Sequence, residues 1–217
     1  MFIGHYGVAL AAKTRAPAVS LGWFFLAVQA LDVLFASFVL LGVEHMRIVQ
    51  GFTAYNPYDL YDIAISHSLL GSAGWSLAAA VLARAMRVPW SGACALGFAV
   101  FSHFVLDVPM HTPDLPLVGA SSPKLGLGLW NHRYVALALE LVAFGIGLAL
   151  YARNRVLRGR FWLFATALVV LTLATPFLPA PRTANEFALQ ALAAYAGLAY
   201  WAAWVDRSTP TKALPRA

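Results

Sequence analysis

The chain is 217 residues long, 61% hydrophobic and only 11% charged, with a formal net charge of +6. A soluble domain carries about 25% charged residues, so a water-soluble globule is excluded in favour of a multi-pass membrane protein. The positive charge fits membrane-flanking loops better than a nucleic-acid face, and Cys94, the single cysteine, leaves no intrachain disulfide and no thiolate cluster for a metal.

Residues 3–12 (IGHYGVALAA) are helix-like but too short for a bilayer, which takes about 20 residues. No basic leader precedes them and no clear cleavage site follows, so they are expected to stay in the mature protein. Lys13, Arg15 and Pro17 break the pattern, and a first span follows from about Ser20 to Val43 with Asp32 near its middle. A polar loop from Glu44 to Tyr61 leads to a second span near Asp62 to Met86, which contains His67 in the run ISHSLLGS. The third span, from Trp90, should end or kink at Pro109. Residues 110–130 then form a Pro/Gly-rich connection long enough to cap a site. A fourth span near Asn131 to Tyr151 contains Glu140; a fifth, Phe161 to Leu178, and a sixth, Ala184 to Val205, lie beyond a basic boundary of Arg153, Arg155, Arg158 and Arg160. The tail from Asp206 reads as short and exposed.

The expected fold class is therefore all-α, a polytopic membrane helical bundle of about six transmembrane helices plus a short N-terminal re-entrant half-helix. It forms a single integral membrane domain over 1–217, with 1–15 as the re-entrant segment and 110–130 as an extracytoplasmic cap loop. Basic residues set the orientation. Lys13, Arg15, Arg84, Arg87, the four boundary arginines, Arg207, Lys212 and Arg216 fall on one side, against Arg47, Lys124, Arg133 and Arg182 on the other. Both termini are accordingly expected in the cytoplasm, in a bacterial inner membrane. Tryptophans at 23, 90, 130, 162, 201 and 204 lie near span ends, as an aromatic belt would.

Within FSHFVLDVPMHTPDLPL, His103, Asp107 and His111 recur every four residues, the spacing of one helix face. An ionisable group facing hydrocarbon costs roughly 2.5–3.5 kcal/mol, so such residues need partners. At a rise of 1.5 Å per residue, Asp107 and His103 lie about 3 and 9 Å below the outer end of their span, and Asp32 about 16 Å down its own. His67 lies just inside the outer end of the second span. A half-helix re-entering from the inside would lift His5 about 12 Å above Lys13, to the level of Asp32. Imidazole and carboxylate bind zinc, and also iron or manganese, so His5, Asp32, His67, His103 and Asp107 are the candidate metal ligands. The bland alternative is a set of satisfied polar contacts between helices. His111, Asp114 and His132 are the candidate catalytic groups, against readings as a solvated loop and, for His132, a helix cap. Ser66 and Ser68 could orient His67 or merely pack. Glu140 is expected to pair with a basic or hydroxyl group, His45 to be structural, and Tyr55, Tyr58 and Tyr61 to anchor the interface.

Gly4-His5, Asp32, Ser66-His67-Ser68-Leu69-Leu70, Ser102-His103 with Asp107, and Thr112-Pro113 stand in the order GH, D, [ST]HSLL, SHxxxD, TP. Over roughly the first 120 residues this resembles the YdjM-type membrane-bound metal-dependent hydrolases and, more distantly, the all-helical zinc phospholipase C architecture. The resemblance implies an inner-membrane helical protein with a His/Asp metal site and hydrolytic activity. The chain departs from that family's denser first-run element, having ALDVL with a lone Asp32, and from its HRGxTHS element, here AISHS. One metal is the safer expectation.

The leading functional expectation is thus a hydrolase with a divalent cation, zinc first, acting at the outer face on a phosphoester or lipid-linked substrate. Arg133 would hold a phosphate oxygen, and membrane lipids would surround the protein. A transporter or permease using the same His and Asp, or a redox membrane protein with iron or haem, are the alternatives.

Overall fold

The computed structural model describes residues 1–207 and 209, apart from the side chain of Asn154. Its helices, in chain order, are α1 (Ile3–Arg15), α2 (Leu21–Val28), α3 (Ala30–Leu40), α4 (Ala64–His67), α5 (Leu69–Ala85), α6 (Trp90–Met110), α7 (Arg133–Asn154), α8 (Gly159–Ala174) and α9 (Ala184–Arg207). The expected all-helical membrane bundle is what the chain forms. Among the described residues, four helices can cross a membrane by length and composition: α6, α7, α8 with its 3-10 extension, and α9. The bent pair α2 and α3 makes a fifth.

Two expected spans are therefore different in detail. The first is broken at Gln29, where the axis turns by 57°. The second is shortened to the 17 residues of α5. Tyr58–Asp62 pairs instead as β2 with β1 (His45–Ile48) in an antiparallel hairpin, and His67 occupies the separate turn α4. Pro109 is accommodated in the last turn of α6, which ends one residue later at Met110. Its missing N–H frees only the Val105 carbonyl, about one turn before the helix end.

A belt of apolar side chains stays outside the bundle: Leu77, Val81, Phe98, Val142, Ile146, Leu163 and Val170 are all more than half exposed. In water that surface would be an association hazard; against lipid it is the expected outer face. Trp23, Trp90, Trp162 and Trp204 are exposed as a belt requires, but Trp130 is buried.

Small residues draw the helices together. α1 crosses α7 at Gly7 and Gly147, where a Cβ on Gly7 would overlap Ala143 O and one on Gly147 would overlap Gly7 O. A Cβ on Gly22 of α2 would come 2.6 Å from Ala199 O of α9. Without water to expel, close backbone approach of this kind supplies the packing attraction between helices in a membrane. The 13-residue α1 is the buried half-helix expected at the N-terminus, with His5 and Tyr6 completely enclosed.

The end bearing Lys13 and the arginine boundary is tied by Asp206. This residue accepts from Lys13 Nζ at 2.8 Å and from Leu21 N at 3.0 Å, so it belongs to the last turn of α9 rather than to an exposed tail. Of that expected tail, Lys212 and Arg216 lie outside the described residues.

At the opposite end, residues 111–132 fold back as a cap. Short strands β3 (Leu115–Pro116) and β4 (Lys124–Leu125) pair antiparallel. Leu127 N and Gly128 N return to Val108 O and His111 O at 2.9 and 2.7 Å, and Tyr55 N binds Trp130 O at 2.9 Å. Gly126, at φ +150°, approaches so closely that a Cβ would overlap Thr112 O.

Candidate metal centre

Four helices deliver one buried polar cluster. α6 brings His103 and Asp107 one turn apart on its inner face, and His111 follows at its C-cap. α1 brings His5, α3 brings Asp32 and α4 brings His67. Asp107 is the hub. Its Oδ1 lies 3.2 Å from His5 Nε2, and its Oδ2 lies 3.0 Å from His103 Nε2 and 3.4 Å from His111 Nε2. The Met1 amino nitrogen is 2.6 Å from the same Oδ1. Asp32 Oδ1 lies 3.4 Å from His67 Nε2 and 3.6 Å from His103 Nε2.

The hydrogen bonds on the far side of three rings fix their tautomers. His103 Nδ1 is 2.6 Å from Val28 O, a carbonyl that can only accept, so Nδ1 carries a proton. His67 Nδ1 is 2.7 Å from Ser66 Oγ, and that hydroxyl gives its own proton to Glu44 Oε2 at 2.5 Å, so it must accept from the ring. His111 Nδ1 is 2.8 Å from the Asp114 carboxylate and donates likewise. In each neutral ring the lone pair therefore sits on Nε2 and faces carboxylate oxygen. Lone pair against carboxylate is repulsive unless a proton or a cation stands between them.

The residues fit a cation on three counts. Two ligands 2.0–2.2 Å from one tetrahedral ion stand roughly 3.4 Å apart, and the Nε2–oxygen separations of 3.0–3.6 Å bracket that value. The donor atoms form two overlapping sets, His5 with His103 and Asp107, and Asp32 with His67 and His103, each within 4.8 Å of one another. Both ring nitrogens of His5 and Nε2 of His103 are fully buried and make no hydrogen bond of acceptable geometry, despite their carboxylate neighbours. The His5 and His103 rings stack at 4.0 Å with 7° between their planes.

The sequence does not reveal who holds these groups. Tyr195 of α9 donates to Asp32 Oδ2 at 2.8 Å; nothing in the apolar run around it marks it out. Glu140 caps α1, accepting from Phe2 N and Gly4 N at 2.6 and 2.8 Å, rather than pairing with a basic or hydroxyl side chain. Glu44 caps α4 through Ile65 N and Ser66 N at 2.7 and 2.8 Å, so it supports His67 twice over. Ser68 packs differently: its hydroxyl caps α5 by accepting from Gly71 N at 2.9 Å.

The candidate catalytic residues divide. Asp114 is buried, with one oxygen on His111 and the other accepting from Thr112 Oγ1 at 2.8 Å, so both its oxygens are engaged in holding the cap. His111 lines the cavity beside the cluster, and Trp130 packs over its ring at 4.2 Å. Burial alone would depress its imidazole, but Asp114 and Asp107 outweigh this and hold it up at about 9. His132 is exposed at the N-cap position of α7 and does not line the cavity. Arg133, expected to hold a phosphate, is committed elsewhere, donating to Ala54 O at 2.7 Å with its guanidinium 5.1 Å over Phe177. Tyr55 and Tyr58, expected as interfacial anchors, are instead turned inward as cavity walls, and burial pushes both hydroxyls up.

The cluster opens into a cavity of about 310 Å³ at the end opposite the arginine boundary. Asp32, His67, Asp107 and His111 form its floor. No family model, no curated protein and no solved structure matches the chain.

Proposed function

We propose that this protein is a membrane-embedded metal-dependent hydrolase of the YdjM type, holding a divalent cation, zinc first, with His5, Asp32, His67, His103 and Asp107. The observation that supports it best is the set of proton-fixed imidazoles whose Nε2 lone pairs converge on two buried carboxylates beneath a cavity. A cation bound there would supply Lewis acidity and a nucleophile derived from water at neutral pH. The chain's own groups do the rest. Val28 O and Ser66 keep the ligating rings in one tautomer and orientation. Tyr195 holds Asp32 from the cavity side. His111, braced by Asp114, is the side chain at the floor positioned to give or take a proton at Nε2. The cap over residues 111–132 and the aromatic walls limit water around these groups.

A permease would need a polar route onward to the basic end. Between the cluster and that end stand Leu10, Leu21, Phe24 and Phe25, all buried to 1% or less exposure, which favours a one-sided pocket. Elemental analysis of detergent-purified protein beside His103→Ala tests the reading. At least one equivalent of metal in the parent and a clear loss in the variant are expected. Metal-free parent protein, or equal metal in both, overturns it, and a visible iron or haem band would redirect it to redox chemistry.

A further inference from the structure

The cavity above the cluster has walls that are unlike its floor. From Asp32 and His67 it passes Phe35 and Phe187 and then runs between the C-terminal end of α8, at Leu171 and Thr175, and the first turns of α9, at Ala191 and Ala194. Ala191 and Ala194 stand three residues apart and so share a helix face, and their small side chains leave the space that the arm occupies. The arm is open sideways: Leu171, Thr175 and Ala194 are all exposed. The surface around this opening is apolar too, with Val170 58%, Phe177 63% and Leu189 60% exposed. In a bundle whose outer face meets lipid, an opening framed by such residues leads into the bilayer and not into water.

Charge limits the other end of the ligand. Among the described residues, no lysine or arginine side chain lines the cavity, while Asp32, Asp107 and Glu140 do. Arg133 is spent on Ala54 O and the Phe177 ring. The cationic groups there are already matched, the Met1 amino group by Asp107, His111 by Asp107 and Asp114, and a divalent cation by Asp32 and Asp107, so a phosphate finds no unpaired charge and no bidentate guanidinium to receive it. At about 310 Å³ the space lies at the low end of ligand cavities, which run from about 300 to 1,000 Å³, so it suits one chain and not the body of a two-chain lipid.

We propose that the cavity binds a single-chain amphiphile with an uncharged polar end, which enters sideways from the bilayer between α8 and α9 and lays its chain along Phe35, Phe187, Ala191 and Ala194. The assignment of this molecule as substrate rests on the hydrolase reading; its binding does not. The chain lies in the apolar arm, and the uncharged end reaches Asp32, Tyr195 and the histidines of the floor.

The test uses purified full-length protein in nanodiscs and three photoactivatable probes: a long-chain glycerol ether, a short-chain glycerol ether, and an alkyl phosphate with the same long chain. The ether linkage resists hydrolysis, so the readout is labelling and not turnover. The long-chain ether is expected to label peptides within residues 171–195 at least tenfold more than either comparator. Ala194→Trp, and independently Thr175→Trp from the α8 side, should each lower that labelling at least tenfold with metal content unchanged. Equal or stronger labelling by the alkyl phosphate overturns the uncharged end. Equal labelling by the short-chain ether overturns entry from the bilayer. Undiminished labelling in a folded tryptophan variant overturns the arm. Metal-free parent protein that still takes the long-chain ether in this arm would defeat the hydrolase reading alone, since His103→Ala is expected to keep the label.

Discussion

Ser66→Ala is the sharpest probe of how the centre is held, because it removes one oxygen and leaves every proposed ligand in place. Ser66 Oγ accepts from His67 Nδ1 at 2.7 Å and donates to Glu44 Oε2 at 2.5 Å. Without it the buried ring N–H has no acceptor, and the ring can rotate or shift its proton to Nε2, the atom 3.4 Å from Asp32. Glu44 keeps its two backbone donors, Ile65 N and Ser66 N, so α4 should persist. Loss of a hydrogen-bond partner behind a metal-ligating histidine costs about 10–100-fold in affinity, or about 1.4–2.8 kcal/mol at 1.4 kcal/mol per tenfold. Competition titration of zinc against a chelator would read that change, and Ser66→Thr, which keeps the hydroxyl, should recover most of it. A Kd within twofold of the parent for Ser66→Ala, while His67→Ala weakens binding strongly, would refute the positioning role. If both variants bind as the parent does, His67 is no ligand and the second donor set dissolves.

Gly147→Leu should drive α1 off α7, because its Cβ meets the Gly7 backbone; zinc content should fall with the loss of His5. Gly145→Leu on the same helix, where nothing lies within 4 Å, should behave as the parent in both zinc content and thermal stability. Lys13→Met leaves Asp206 with Leu21 N and the Tyr151 hydroxyl, and it strips Pro17 O and Val19 O of a donor. Breaking a buried ion pair costs about 3–5 kcal/mol, so a large drop in the midpoint of thermal unfolding, followed by tryptophan fluorescence, is expected. In metal-free protein His111 contributes stability that is fully present below its unfolded value of 6.5 and is lost as pH rises through about 9. Denaturation midpoints should therefore fall across that window, and His111→Gln should flatten the fall.

By itself the sequence determined the class of molecule and the level of the site. Hydropathy over about 20 residues is a local property, and α6, α7, α8 and α9 appear close to where it puts them. The four-residue spacing of His103, Asp107 and His111 is local as well, and helix rise alone brings His5 level with Asp32, with His67 expected nearer the outer end. Depth, however, says nothing about rotation. That Asp32 turns to Tyr195, that Glu140 caps α1, and that Ser66 hands His67 to Glu44 depend on which faces meet once helices cross. Those crossings are set by contacts between distant positions such as Gly7 and Gly147. The same blindness explains the residues placed too generously. His132 and Arg133 lie at the right level, yet α7 starts with one exposed and the other drawn to Ala54 O. Only the packed bundle could decide these, because neither apolar run length nor periodicity carries information about the partner across the gap.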